Sequence, residues 1–360
     1  MKKLFALALA LAMTLALVAC GGGSTSAPAA STPAPAASAP AASTPAPAAS
    51  APAAPEAKKL DWPKKDISIV CPFKAGGAMD LSTRLTAKYL EKYLGVSVTV
   101  NNVEGGNNWV GYTQVNQAKG DGYLLGFANY PGQVGGYLNP SAGVPLTYRD
   151  FTSIADVVHD PNVLVVSPKY SPYKTLDEFM AAAKTQSLVV GTGGGAGSDD
   201  DVLIRKLNQQ FGTQLVSGQN ANDADAAAAL LGGHIDARCC NVSNIYKNYK
   251  STGDDAVIVL AVFDSERSDF IPDIATGKEL GYDVSGSSDR GLIGPPSLDP
   301  EITAYLIDVL KQVEQDPDFQ NDAKEQGMGI HMLFGDEFAN YILSVEDTMK
   351  GMMVDFGWTK

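Results

Sequence analysis

From about Lys58 onward, short apolar runs alternate with stretches in which apolar residues recur at helical spacing. Ile67 to Pro72 has the pattern of a buried strand, Ala78 to Leu94 of a helix, Val96 to Asn101 of a strand and Trp109 to Ala118 of a helix. Tyr123 to Ala128 is a further strand after the Gly120-Asp121-Gly122 turn, and the Gly/Pro-rich passage from Tyr130 to Pro145 is expected to be loop. A second series starts with a strand at Val163 to Ser167. It continues with helices over Thr175 to Lys184, Ser198 to Phe211, Asp223 to Leu231 and Val242 to Tyr249. Strands at Leu188 to Gly191, Gln214 to Ser217, Ile235 to Cys239 and Val257 to Val262 complete it. The repeated βα rhythm predicts an α/β fold with two similar sheets. Three helices close the chain, Pro300 to Gln315, Pro317 to Gly327 and Gly335 to Phe356, with an extended piece at Ile330 to Leu333 between the last two. They are expected to pack back on the first sheet.

The N-terminal part has a different pattern. Lys2 and Lys3 precede an apolar stretch, Leu4 to Val18, that is shorter than the roughly 20 residues of a bilayer-spanning helix and reads as a secretory signal. It ends in Leu17-Val18-Ala19-Cys20, which resembles the lipobox of bacterial lipoproteins. That resemblance implies cleavage after residue 19 and a lipid anchor on Cys20. Residues 21–57 repeat Ala, Pro, Ser and Thr without hydrophobic periodicity, the composition of a semi-rigid tether with too little apolar surface to fold.

A formal net charge of -13 without a long basic run argues against a nucleic-acid partner. It leaves an anionic ligand possible, because backbone amides in a cleft bind anions whatever the exterior charge. Besides Cys20 there are Cys71, Cys239 and Cys240, an odd number with no CxxC spacing, so neither a disulfide framework nor a metal site is expected.

Open α/β sheets bind ligands in loops at the C-terminal ends of their strands, and two such loops are rich in glycine. Phe73-Lys74-Ala75-Gly76-Gly77-Ala78-Met79-Asp80 joins the first strand to its helix, a place where backbone amides can clasp a carboxylate. For Asp80, helix capping and ligand contact carry equal weight, and Lys74 is a weaker counter-charge. Gly191-Thr192-Gly193-Gly194-Gly195-Ala196-Gly197-Ser198 leads into a second helix. Its GxGxxA match to a dinucleotide fingerprint is opposed by Asp199, Asp200 and Asp201, whose charges would repel a pyrophosphate. Ser198 is the expected N-cap, with the aspartates as first-turn residues that suit the helix dipole.

Further passages stand in a set order along the chain: Trp62-Pro63, Pro72-Phe73-x-Ala75-Gly76-Gly77-x-x-Asp80, Arg84, Val98 to Gly106 and Asp121-Gly122-Tyr123-Leu124-Leu125. After them come Asp150-Phe151, Gly191-x-Gly193 to Ser198, Leu230 to Asp236, Arg267, Ile271-Pro272, Glu279-Leu280-Gly281 and Gly294-Pro295. Together these passages resemble the substrate-binding receptors of tripartite tricarboxylate transporters, the Bug family. The resemblance implies a two-lobed, periplasmic-binding-protein-like α/β fold with a ligand cleft between the lobes. Lobe 1 would comprise residues 58–160 and 286–360, and lobe 2 residues 161–285. It implies an extracytoplasmic receptor, monomeric and without cofactor, that closes on a small carboxylate-bearing metabolite and delivers it to two integral-membrane subunits. By motif position Phe73, Ala75, Gly76, Gly77 and Asp80 would grip the ligand from one side and Gly193, Gly194, Gly195, Ala196, Gly197 and Ser198 from the other, with Cys239 and Asn241 at a nearby strand end. Asn107-Asn108 and the three aspartates depart from the family pattern, and the extra carboxylates favour a ligand that carries an amino group as well.

Two other classes compete with a receptor. A secreted enzyme needs a Ser or Cys beside a His, yet there is no GxSxG and the three histidines, His159, His234 and His331, are scattered in expected turns and connectors. A surface lipoprotein with a scaffold or sensing role is compatible with the tether.

Overall fold

The computed structural model describes residues 60–220, 222–246, 249 and 256–358. The signal segment 1–20, the lipid-anchor cysteine Cys20 and the tether 21–57 lie outside the described residues. The elements run β1 (Ile67–Cys71), α1 (Ala78–Leu94), β2 (Val98–Asn102), α2 (Trp109–Asn116), β3 (Leu124–Tyr130), α3 (Gly132–Leu138), β4 (Thr152–Val166), α4 (Leu176–Ala183), β5 (Leu188–Thr192) and α5 (Asp199–Phe211). They continue with β6 (Leu215–Gln219), α6 (Asp223–Leu231), β7 (Ala237–Asn241), α7 (Val242–Ile245), β8 (Ile258–Phe263), β9 (Ser287–Gly294), α8 (Pro300–Glu314), α9 (Pro317–Gln326), β10 (Gly329–Phe334) and α10 (Asp336–Gly351).

Local chemistry accounts for the helix ends. Ser198 accepts a hydrogen bond from Asp201 N at 3.3 Å, a cap that contributes about 1 kcal/mol, and Thr175 with Glu178 forms a reciprocal capping box at α4. α1 ends where Gly95 turns left-handed and returns its N–H to the Glu91 carbonyl.

The strands form one mixed sheet in the order β2-β1-β3-β9-β4-β7-β5-β6, with β8 and β10 also paired to β4. β1 pairs in parallel with β2 and β3, and β5 with β6 and β7, which gives two βα halves. β4 joins them. From Thr152 to Pro161 it pairs antiparallel with β9, and from Asn162 to Val166 with β7 and β8. Pro161 has no N–H for the ladder, and the change of partner falls beside it.

Helices cover both faces of each half. α1, α8 and α9 bury Leu85, Leu90, Leu306 and Phe319 against one face of the first half, and Trp109, Val134, Phe338 and Ile342 cover the other. In the second half Phe179, Leu203 and Leu207 cover one face, and Leu230, Val242 and Ile245 the other.

Most expected elements are found within one or two residues of their predicted ends, but α7 ends at Ile245 and α10 at Gly351, short of the expected Tyr249 and Phe356, and further expectations are corrected. The passage 130–145 carries α3, because its glycines permit close helix packing: a Cβ on Gly136 would lie 2.6 Å from Trp109 Nε1. β4 starts at Thr152 rather than near Val163, and β9 went unpredicted because its first half is polar, Ser287-Ser288-Asp289-Arg290. These two strands link the two expected sheets: β4 pairs with β9 and β10 in one and with β7 and β8 in the other, which gives one continuous strand order. His159 therefore sits within β4 rather than in a turn.

Candidate ligand-binding cleft

A cavity of about 390 Å3 opens where the helix-starting loops of the two halves meet. Phe73, Gly77 and Ala78 line it from the start of α1, Asn108 and Trp109 from α2, and Gly132 and Gln133 from α3. From the other half come Gly193, Gly194, Ala196, Gly197 and Ser198 before α5, Asn222 and Asp223 at α6, and Asn241 and Asn244 at α7. First-turn N–H groups have no partner within their own helix, so a ring of helix starts gives the wall a positive partial charge. A wider surface hollow of about 650 Å3 lies beside Lys92 and Asp316, but those two already form an ion pair at 2.7 Å.

Of the residues expected at the site, Phe73, Gly77, Gly193, Gly194, Ala196, Gly197, Ser198 and Asn241 line this cavity, as does Lys74. Ala75, Gly76, Asp80, Gly195 and Cys239 lie off its wall. Asp80 is 3 % exposed and laces the first loop together: it accepts from Gly76 N at 2.9 Å, Arg84 Nε at 2.9 Å and Asn102 Nδ2 at 2.9 Å. Burial works against its charge, but Arg84, the Gly76 amide and Asn102 together hold the carboxyl below its usual range. Cys239 is buried in the core, where desolvation and then the Asp200 charge push its thiol well up.

The glycine-rich loop divides its amides. Gly193 N donates to Asp200 at 3.2 Å, Gly197 N to Asp201 at 3.0 Å and Ser198 N to the Gly195 carbonyl at 3.2 Å. The loop also touches the opposite half: a Cβ on Gly135 of α3 would meet the Gly197 carbonyl oxygen at 2.8 Å and its Cα at 3.2 Å. Only backbone separates the two halves there.

Sequence reasoning missed the polar groups that converge from the joining strands. Arg290 of β9 lines the cavity while 4 % exposed, donates through Nη2 to Asp160 at 3.1 Å and to Ser288 Oγ at 3.2 Å, and leaves Nη1 without a partner among the described residues. Gln133 is 2 % exposed, and both its amide atoms lack a partner there. Asn129 also lines the cavity and donates to Ser288 at 2.7 Å. A buried polar group without a partner costs about 1–3 kcal/mol, a cost that any group meeting these two side chains would relieve. The signal was faint: one glutamine in a Gly/Pro-rich passage and one arginine in an unpredicted strand.

The sequence model of the tripartite tricarboxylate transporter family receptor, TctC, matches residues 82–353. The chain belongs to this family. Among related receptors and relatives, BugT of Bordetella pertussis is 29 % identical over 249 residues, 68 % of this chain and 75 % of BugT. A UPF0065 protein of Agrobacterium vitis is 29 % identical over 261 residues, 71 % of this chain and 73 % of its own. A TctC solute-binding protein from Polaromonas has the same two-lobed fold, with a TM-score of 0.69 and 26 % identity, and covers 82 % of this chain and 99 % of its own. MatC from Rhodopseudomonas palustris, solved with bound malate, shares the fold at 22 % identity and a TM-score of 0.64, over 80 % of this chain and 99 % of MatC. This TctC chain is thus an extracytoplasmic solute-binding receptor, and among its described residues no helix is long and apolar enough to cross a membrane.

Proposed function

We propose that this receptor binds a small carboxylate-bearing solute in the 390 Å3 cavity, closes two lobes over it and hands it to two integral-membrane subunits of a tripartite transporter. The lobes are residues 58–160 with 286–360, and residues 161–285, hinged where β4 and β9 pass between the halves. Cys20 carries the lipid that holds the protein at the membrane, and residues 21–57 are the tether.

The observation that carries the ligand class is Arg290. Its buried guanidinium spends Nη2 on Asp160 and Ser288 and leaves Nη1 without a partner among the described residues, on a side chain that lines the cavity beside helix starts that favour negative charge. Phe73, Gly77 and the Gly193 to Ser198 loop close on the same ligand from the two sides. Ala75, Gly76, Asp80, Gly195 and Cys239 act from behind, by shaping the loops that do so.

A non-catalytic reading fits the chemistry of the wall. All three described thiols are pushed up by burial, away from the reactive thiolate. His159 is bound by two aspartates, and neither His234 nor His331 lines the cavity.

The test is a thermal-shift screen of the full chain against mono-, di- and tricarboxylates and amino acids. Ligand at about 100 times its dissociation constant should add about 2.7 kcal/mol to the folded state. A saturable rise within one carboxylate class supports the proposal; a folded protein indifferent to every carboxylate refutes it.

A further inference from the structure

We infer that the ligand carries an ammonium group as well as a carboxylate, and that Asp199 and Asp200 select for it. The inference rests on the reading of the cavity as the receptor's binding site.

The acidic side chains around the cleft fall into two groups. Asp80 pairs with Arg84 at 2.9 Å, Asp160 with Arg290 at 3.1 Å, Asp201 with Arg205 at 3.1 Å, and Asp223 with Arg238. Asp199 and Asp200, which both line the cavity, form no ion pair with a Lys or Arg among the described residues. Their hydrogen-bond donors are neutral groups, amides with the Cys239 thiol also against Asp200, and the Arg290 charge reaches Asp199 without a direct contact. Asn162 Nδ2 bridges them, 2.8 Å from Asp199 Oδ2 and 3.0 Å from Asp200 Oδ1, while Asn241 Nδ2 lies 2.8 Å from Asp199 Oδ2 and Gly193 N 3.2 Å from Asp200 Oδ2.

All three aspartates stand in the first turn of α5, where the helix dipole suits a carboxylate. Asp201 has in addition Gly197 N and Arg205 as partners and lies off the cavity wall. Asp199 and Asp200 instead stand side by side in a wall of low dielectric, each raising the cost of ionising the other. Burial, and then the neighbouring Asp199 charge, push the Asp200 carboxyl well up.

A plain dicarboxylate would bring a further negative charge against this pair. An ammonium would supply the direct cationic partner that Asp80, Asp160, Asp201 and Asp223 already have, through charge-assisted hydrogen bonds. The carboxylate end has separate partners, the unpaired Nη1 of Arg290 and the unpartnered amide of Gln133, both buried and both on the same wall. A cavity with an anion-seeking and a cation-seeking part fits a zwitterion, an amino acid in the broad sense.

The experiment is calorimetric titration of the full chain at pH 7.5 with acids paired so that only the amine differs: aspartate with succinate, glutamate with glutarate, alanine with propionate. In any pair that binds, the aminated member should be tighter by about 10-fold to 100-fold, the strength of a hydrogen bond to a charged group. In the Asp199→Asn and Asp200→Asn proteins, checked for folding by their melting curves, that gap should shrink to a few-fold. A plain acid that binds as tightly as its aminated partner, or a gap that survives both substitutions in folded protein, overturns the inference and leaves the carboxylate receptor standing. No binding by either member of any pair overturns both.

Discussion

His159 and Asp289 face each other across the paired strands β4 and β9 where these pass between the two halves of the sheet, with Nδ1 2.6 Å from Asp289 Oδ1. The other ring nitrogen lies 3.0 Å from Asp264 Oδ2, just beyond β8. Burial works against the imidazolium, but the hydrogen bonds and charges of Asp264 and Asp289 prevail and push its pKa up to about 11. A folded-state pKa raised above the unfolded value near 6.5 means stability is fully present below that value and is lost as pH climbs toward 11. Urea unfolding at pH 7, 8 and 9 should therefore show a decline of up to about 1.4 kcal/mol per pH unit. His159→Gln should flatten it; a slope unchanged in that variant would show that other groups are responsible.

Asp80 gives the opposite sign. Its carboxyl is held below the usual range in the fold, so its contribution is present above the unfolded value and lost as pH falls through the folded one. Asp80→Asn should lower the melting temperature at pH 7, and the difference from the unsubstituted protein should narrow on acidification. Scanning calorimetry at pH 7 and in the acid range decides it. Equal differences at both would mean that the charge plays no part in lacing the loop.

Gly135 and Gly197 meet with only backbone between the halves. Gly197 itself is left-handed, at φ +84°, and a Cβ there would also meet the Trp358 ring at 2.7 Å. Gly135 has no such conformational demand, and its Cβ would press on the Gly197 backbone at 2.8 Å and on the yielding end of Met349 at 3.1 Å, so Gly135→Ala probes the effect of one methyl group on lobe approach. Ligand affinity should drop by about 10-fold or more, of the order of a small overpacking cost, while the melting temperature without ligand stays within a few degrees. Undiminished affinity would mean that closure does not bring these two backbones together.

For Gln133 the expected effects on stability and binding have opposite signs. Gln133→Leu removes two buried polar atoms that lack partners, and the protein without ligand should keep or gain stability, by up to about 1–3 kcal/mol. Ligand affinity should fall at least about 10-fold, because the hydrogen bonds that complete the amide are lost. Denaturant unfolding and titration calorimetry on the same preparation test both; a variant that loses stability and binds normally would assign Gln133 to the core alone.

The loop and helix grammar of the site was legible beforehand. α1 has the bounds expected from its apolar spacing, Ser198 caps α5 as its residue type and position dictate, and both glycine-rich loops do meet at one cavity. These features depend on neighbours within a few positions along the chain, so periodicity and capping chemistry reveal them. Arg290 was not legible, because a strand that begins Ser-Ser-Asp-Arg has no apolar alternation to mark it. Its burial is made affordable by Asp160, 130 positions earlier. The first-turn aspartates were legible as helix formers, but only the assembled cleft separates Asp201, paired with Arg205, from Asp199 and Asp200, whose hydrogen-bond donors are neutral.

By itself the sequence determined the α/β rhythm, the ends of most helices, the two anion-seeking loops and, through its motifs, the family. Each follows from local sterics, hydrophobic period or the order of residue types along one chain. Tertiary structure alone decided that β4 carries one sheet through both halves, that Gln133 and Arg290 bring unpaired polar atoms to the cleft, and that His159 is a charged clasp between Asp264 and Asp289. Those outcomes depend on which distant groups share a dry, low-dielectric space, where a polar side chain's worth is set by the partners that reach it and hardly at all by its neighbours in sequence.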